Sequence, residues 1–277
     1  MGCLGMPNLD FASFALHYQS AGESGPAVVL VHGEWADHHQ WDPVVPGLRR
    51  SFRVIAYDRR GHSLSTAPGT KGSVADQAKD LETIVTLVGR GPCHLIASSL
   101  GAIIALRFTA SRPDLVLSLS AHEPPLLSLV ANDPRYQPAV GSMRESLLEA
   151  RRRVFGGDPA GGARIYVDRI AVGEGGWAQL SPESRQTFVA NSGCWLAESQ
   201  DPTALSVDLE MFQGMRRPVM LTAGSASPPL FPAIEEKLAE GLWSVKGHLY
   251  PGAGHLPHVT HPAEFVETSL AFCAQSQ

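Results

Sequence analysis

The residues best placed to do chemistry gather around Ser99. The apolar run Cys93 to Ala97 predicts a short buried strand, Ser98-Ser99-Leu100 a sharp turn, and Gly101 to Ala110 a helix packed on a sheet. A serine at such a turn is pushed out of the backbone over the sheet's edge. The first turn of the following helix leaves its N–H donors free to point at whatever the serine attacks. So tight a turn needs small residues two before and two after the serine, and Ala97 and Gly101 fill those places. A serine hydroxyl is a poor nucleophile unless a neighbour takes its proton. The chemistry therefore calls for an imidazole in reach and an acid that fixes its tautomer. The competing account of Ser99 is a loop serine beneath a packed helix.

Ala97-Ser98-Ser99-Leu100-Gly101 resembles the nucleophile elbow of the α/β-hydrolase family, G-x-S-x-G, with alanine where the first glycine is usual. One added methyl predicts a more crowded elbow, not a lost one. The family's chain order of serine, acid and histidine implies His255 as the base. It follows the last predicted strand in Pro251-Gly252-Ala253-Gly254-His255, which is similar to the family's histidine loop. His258 is the fallback, and His261 precedes Pro262 at a helix start. The family's acid usually follows the strand after the cap, as G-x-x-D. Here that turn is Gly224-Ser225-Ala226-Ser227, and no Asp or Glu occurs from Met211 to Ile234.

A minority of the family carries the acid one strand earlier. There this chain has Glu123, in His122-Glu123-Pro124-Pro125, similar to the acid-bearing stretch of the fungal zearalenone lactonases. The resemblance thus implies Glu123, with a dyad or a cap carboxylate, Asp201 or Asp208, as the alternative. It also implies the N–H groups of Leu100 and of Glu34, after His32-Gly33, as oxyanion donors. An inward Glu34 side chain would oppose the developing charge, so it is expected to point away or to pair with His38, His39 or an Arg.

The elements that must position these residues alternate. Strands are expected at Phe14–Gln19 (an edge strand), Ala27–Val31, Phe52–Tyr57, Leu115–Ser120, Pro218–Thr222 and Val245–Tyr250. Helices are expected from Trp41 to about Arg50, from Ser73 with Asp76 in its first turn, over Ala233–Glu240, and from Pro262. This alternation predicts an α/β fold: a mostly parallel sheet with helices on both faces. From about Pro125 to Gln213 the pattern turns helical, with candidates Ala139–Phe155, Gly162–Ala171 and Pro182–Glu198. That is too long for a structureless loop in a compact domain. The expected organisation is a core of residues 1–124 and 214–277 with a helical cap, 125–213, inserted in it. Asp58-Arg59-Arg60-Gly61-His62-Ser63 recurs in the resembled family and is taken as scaffold. The resemblance covers about Phe11 to Phe272.

The remaining features exclude more than they add. With 277 residues and a net charge of −5, the chain has no basic footprint for nucleic acid and no polybasic membrane patch. No apolar run reaches the ~18 residues of a membrane span. Met1 to Met6 fits neither a signal peptide nor a myristoylation site. Cys3, Cys93, Cys194 and Cys273 are scattered, which argues against zinc and disulfides and fits a cytoplasmic location. His32, Glu34, Asp37, His38 and His39 match no metal-ligand spacing, so no metal is expected. Trp35, Trp177 and Trp195 are candidates for an apolar substrate pocket under the cap, with ordinary core as their alternative.

The family resemblance therefore implies a cofactor-free serine hydrolase for an ester or lactone with an apolar moiety. The partner is a small-molecule substrate, and a homodimer is one assembly open to the chain. A carbon–carbon bond hydrolase or acyltransferase with the same triad is the nearer alternative, and a non-catalytic ligand receptor the farther one. Serine in place of aspartate at the elbow argues against dehalogenase and epoxide hydrolase chemistry.

Overall fold

The computed structural model describes residues 7–11, 14–66 and 72–276. Residues 1–6, on which the leader and lipidation expectations and Cys3 fall, lie outside the described residues. Among the described residues eight strands form one sheet: β1 (Asn8–Asp10), β2 (Ala15–Ala21), β3 (Ala27–Val31), β4 (Arg53–Tyr57), β5 (Cys93–Ser98), β6 (Val116–His122), β7 (Pro218–Gly224) and β8 (Ser244–Tyr250). Their order is β1-β2-β4-β3-β5-β6-β7-β8. β2 pairs antiparallel with both β1 and β4, and every neighbour from β4 onward pairs parallel. β3 and β5 are buried at every residue, as a parallel sheet covered on both faces requires. Successive side chains of β3 feed two different cores. Val29 and Val31 join the larger one, and Val28 and Leu30 the smaller, with Trp41 and Phe265.

The core helices are α1 (Val45–Leu48), α2 (Val74–Thr83) and α3 (Leu100–Ser111). Ser73 caps α2 by accepting the Asp76 N–H at 3.1 Å. The single helix expected from Trp41 is instead a 3₁₀ turn, His38–Trp41, followed by the short α1. Pro43 and Pro46 remove donors that one continuous helix would use.

Between β6 and β7, residues 125–213 hold helices and, among the described residues, no strand: α4 (Gln137–Phe155), α5 (Pro159–Tyr166), α6 (Gly176–Gln179), α7 (Pro182–Ala190) and α8 (Ser192–Glu198). The expected helix Pro182–Glu198 is broken at Asn191. The Asn191 side chain donates to Trp35 O and Ala36 O and accepts from the Ser63 N–H at 2.8 Å, which ties the break to the core loops. α9 (Leu230–Ala239), α10 (Pro257–Thr260) and α11 (Pro262–Ala274) complete the chain. Among the described residues no helix is long and apolar enough to cross a membrane.

The Asp58–Ser63 stretch does more than support the core. The fully buried Arg59 pairs with Glu198 of α8, hydrogen-bonds Gln77 of α2, and donates to Gly33 O at 2.9 Å. One guanidinium thus clasps the helical segment to both α2 and the loop after β3.

Candidate active site

Ser99 sits between β5 and α3 with φ 55° and ψ −127°, in a region that a residue with a side chain rarely occupies. The strain is held by packing. The Ser99 N–H donates to His122 O at 2.8 Å. A Cβ at Gly101 would collide with the carbonyl oxygens of Val31 and His32, so only glycine lets α3 approach β3 this closely. Ala97 is accommodated within β5, with its side chain in the core. The loop after β3 passes over the serine: a Cβ at Gly33 would stand 3.1 Å from Ser99 Cβ. Among the described residues neither the Leu100 nor the Glu34 amide has an acceptor. Leu100 is the first residue of α3, where the backbone offers no acceptor to its N–H.

Glu123 follows β6 directly and also has positive φ, 43°. Its N–H donates to Thr222 O at 3.0 Å, and its Oε1 accepts the Gly224 N–H at 2.8 Å. The other oxygen, Oε2, lies 2.5 Å from His255 Nδ1. Burial opposes ionisation of this carboxyl, but neighbouring His122 and the His255 hydrogen bond hold it down at about 2. An ionised Glu123 accepts only, so the His255 proton sits on Nδ1 and Nε2 is left as a base. Ser99 and His255 both line one cavity of about 110 Å³ at the carboxyl ends of the strands, walled mostly by apolar groups.

The alternatives raised by the sequence are engaged elsewhere. Asp201 accepts the Val74 N–H at 3.0 Å and Thr203 at 2.7 Å, and Asp208 caps the turn at Leu209–Phe212. His258 is fully buried beside Trp41, at 4.7 Å between rings, and neither of its ring nitrogens has a partner among the described residues. His261 precedes α11 and hydrogen-bonds Thr260. Asp37, His38 and Asp58 bring their donor atoms within 4.8 Å of one another. Those atoms are already hydrogen-bonded, His38 Nδ1 to Asp58 at 2.6 Å and Asp37 to Ser63 Oγ at 2.8 Å, so the group reads as a brace for the loops.

The Glu34 side chain does not point away, and it pairs with none of His38, His39 or an Arg. It turns inward beneath the helical segment, where Tyr166 Oη donates to Oε2 at 3.1 Å and Trp195 Nε1 to Oε1 at 2.9 Å. The two aromatic donors supply what the loop histidines were expected to supply. Burial, together with the nearby Glu198, raises this carboxyl to about 6. Of the three tryptophans, Trp195 lines a second chamber of about 330 Å³ that shares Glu34 with the first cavity. Trp35 lines neither: it is fully buried, stacked on Trp195 at 4.4 Å. Trp177 lines neither and packs edge-on against Phe188, which does line the first. Tyr166 and Phe188 are cavity residues that sequence reasoning missed. Each lies in a helix whose period marks an apolar face without saying what that face covers.

The family model for the alpha/beta hydrolase fold matches residues 26–262. An uncharacterized hydrolase, YraK, of Bacillus subtilis is 36% identical over 260 residues, covering 91% of this chain and 90% of that protein. The 2-(acetamidomethylene)succinate hydrolase of Mesorhizobium japonicum is 27% identical over 259 residues, covering 92% and 90%. Among solved structures, a thermophilic esterase from Thermogutta terrifontis is similar with a TM-score of 0.79 at 20% identity, over 98% of both chains.

Proposed function

The chain belongs to the α/β-hydrolase fold family, and from that premise we propose that it is a serine hydrolase that cleaves a carboxylic ester or lactone with an apolar moiety. In this mechanism Ser99 Oγ attacks the carbonyl carbon while His255 Nε2 takes its proton. Glu123 keeps the His255 proton on Nδ1 and supports the imidazolium that forms. The amides of Leu100 and Glu34 hold the oxyanion. The imidazolium then protonates the leaving alcohol, and a water deprotonated by His255 releases the acid from Ser99. Serine, imidazole, carboxylate and two amides supply every role, so the scheme needs no cofactor. The helical segment 125–213 serves as a cap that shapes the acyl and alcohol sites and keeps bulk water out.

The observation that carries this reading is the 2.5 Å contact between Glu123 and His255 beside a cavity that His255 shares with the strained Ser99. The mostly apolar walls of that cavity support an apolar substrate portion. A fluorophosphonate probe tests it. Labelling of the wild type at Ser99, lost in Ser99→Ala, is expected. No labelling, together with no turnover of short p-nitrophenyl esters, would favour a non-catalytic receptor on the same fold.

A further inference from the structure

Among the described residues β8 pairs with β7 alone, so its outer edge carries unpaired backbone donors and acceptors. Tyr250 O accepts the Ser225 N–H at 3.0 Å, just past the end of β7, and this fixes the phase of the strand. Even-numbered residues turn their N–H and C=O groups toward β7, while Val245, Gly247 and Leu249 turn theirs outward. The side chains divide in the same way. His248 Nε2 lies 3.5 Å from Glu264 Oε1 of α11, and the Tyr250 ring stacks on Phe265 of α11 at 5.8 Å. Val245, Gly247 and Leu249 point to the opposite face. There Val245 is 36% and Leu249 52% exposed, and a Cβ at Gly247 would meet nothing within 4 Å. An open edge with exposed aliphatic side chains is a template for another strand.

We propose that two copies of this chain pair antiparallel through β8 about a two-fold axis at Gly247, joining their sheets into one. The strand is complementary to itself in that register. Val245 comes opposite Leu249 of the second copy and Leu249 opposite its Val245, and these outward-turned residues, with the two glycines, exchange N–H···O bonds. Lys246 comes opposite His248 of the second copy, beside its Glu264. Lys79 and Lys237 each pair with a carboxylate, and Lys246, among the described residues, does not. The charge that would otherwise guard this edge thus gains a carboxylate from the pairing itself. The two neighbouring registers fit less well. One sets Lys246 directly opposite Lys246. The other sets Val245 opposite Pro251, which has no N–H to give. The assembly is independent of the reaction at Ser99.

Sedimentation equilibrium of the full chain at about 50 μM should give the mass of a dimer, and Leu249→Lys should raise its dissociation constant at least about tenfold. The register has its own readout. Residues directly opposite in such a pair have Cα atoms about 5.5 Å apart, within disulfide range. Gly247→Cys should therefore form a covalent dimer on copper-phenanthroline oxidation, above the background that the native cysteines set in the wild type. Val245→Cys alone should not, because its twin lies four positions along the strand, about 14 Å away. Mixing Val245→Cys protein with Leu249→Cys protein should restore the link. These small substitutions at exposed positions serve if Leu249→Lys fails to fold. A wild type that stays monomeric overturns the pairing. So does a dimer whose affinity Leu249→Lys leaves unchanged, or one that Gly247→Cys fails to link.

Discussion

Glu123 and His255 stand 132 positions apart in the chain, yet Glu123 Oε2 meets His255 Nδ1 at 2.5 Å. The carboxylate reaches the imidazole from the end of β6 across the end of β7, where the Gly224 amide steadies its other oxygen at 2.8 Å. The end of β7, where the resembled family usually carries its acid, here contributes a backbone donor to Glu123 instead.

Glu123→Gln should keep the fold and lose the chemistry. The amide has the shape of the acid, but its NH₂ group favours the His255 tautomer with the proton on Nε2, the nitrogen that must accept the Ser99 proton. Turnover of p-nitrophenyl acetate should fall at least about a hundredfold, with a thermal melt close to that of the wild type. Near-normal turnover would remove Glu123 from the mechanism.

Glu34→Gln should stabilise the protein at neutral pH and not in acid. The folded state holds this carboxyl at about 6, above the ordinary 4.5. Its protonated form therefore favours the fold at low pH, and that contribution is lost as the pH rises through 6. The amide avoids the loss. A gain of about 1–2 kcal/mol at pH 8 that vanishes near pH 4 is expected from paired urea melts.

Glu198→Ala should loosen the helical segment. It strips Arg59, fully buried, of its carboxylate partner, and breaking one side of a buried pair typically destabilises by about 3 kcal/mol or more. Hydrogen exchange should accelerate first in α7 and α8, where Asn191 and Glu198 make the ties to the core. Uniform protection across the chain would deny the clasp this role.

Legibility in the sequence followed the range over which each feature is determined. Ser99 could be read locally, because the turn's steric demands fall on Ala97 and Gly101, two residues away. Glu123 could be read because the usual turn, Gly224 to Ser227, holds no carboxylate, which leaves the end of the preceding strand as the place for one. The Glu34 side chain could not be read: its partners lie 132 and 161 positions away, and charge considerations near the oxyanion pointed the other way. The break at Asn191 was hidden for a similar reason. Its helix is apolar and polar at plausible spacings, and only the loops at Trp35 and Ser63 show why the side chain leaves it. Arg59 looked like scaffold because a charge that spans two units of the fold carries no local pattern.

The most direct test of the account is intact-mass and peptide mapping of protein quenched during turnover of p-nitrophenyl butyrate. The account predicts a butyryl adduct on the peptide containing Ser99. The adduct should accumulate in His255→Ala after slow acylation, because that variant cannot activate the deacylating water, and should be absent in Ser99→Ala. Turnover that persists in Ser99→Ala, or an adduct carried on another residue, would contradict it.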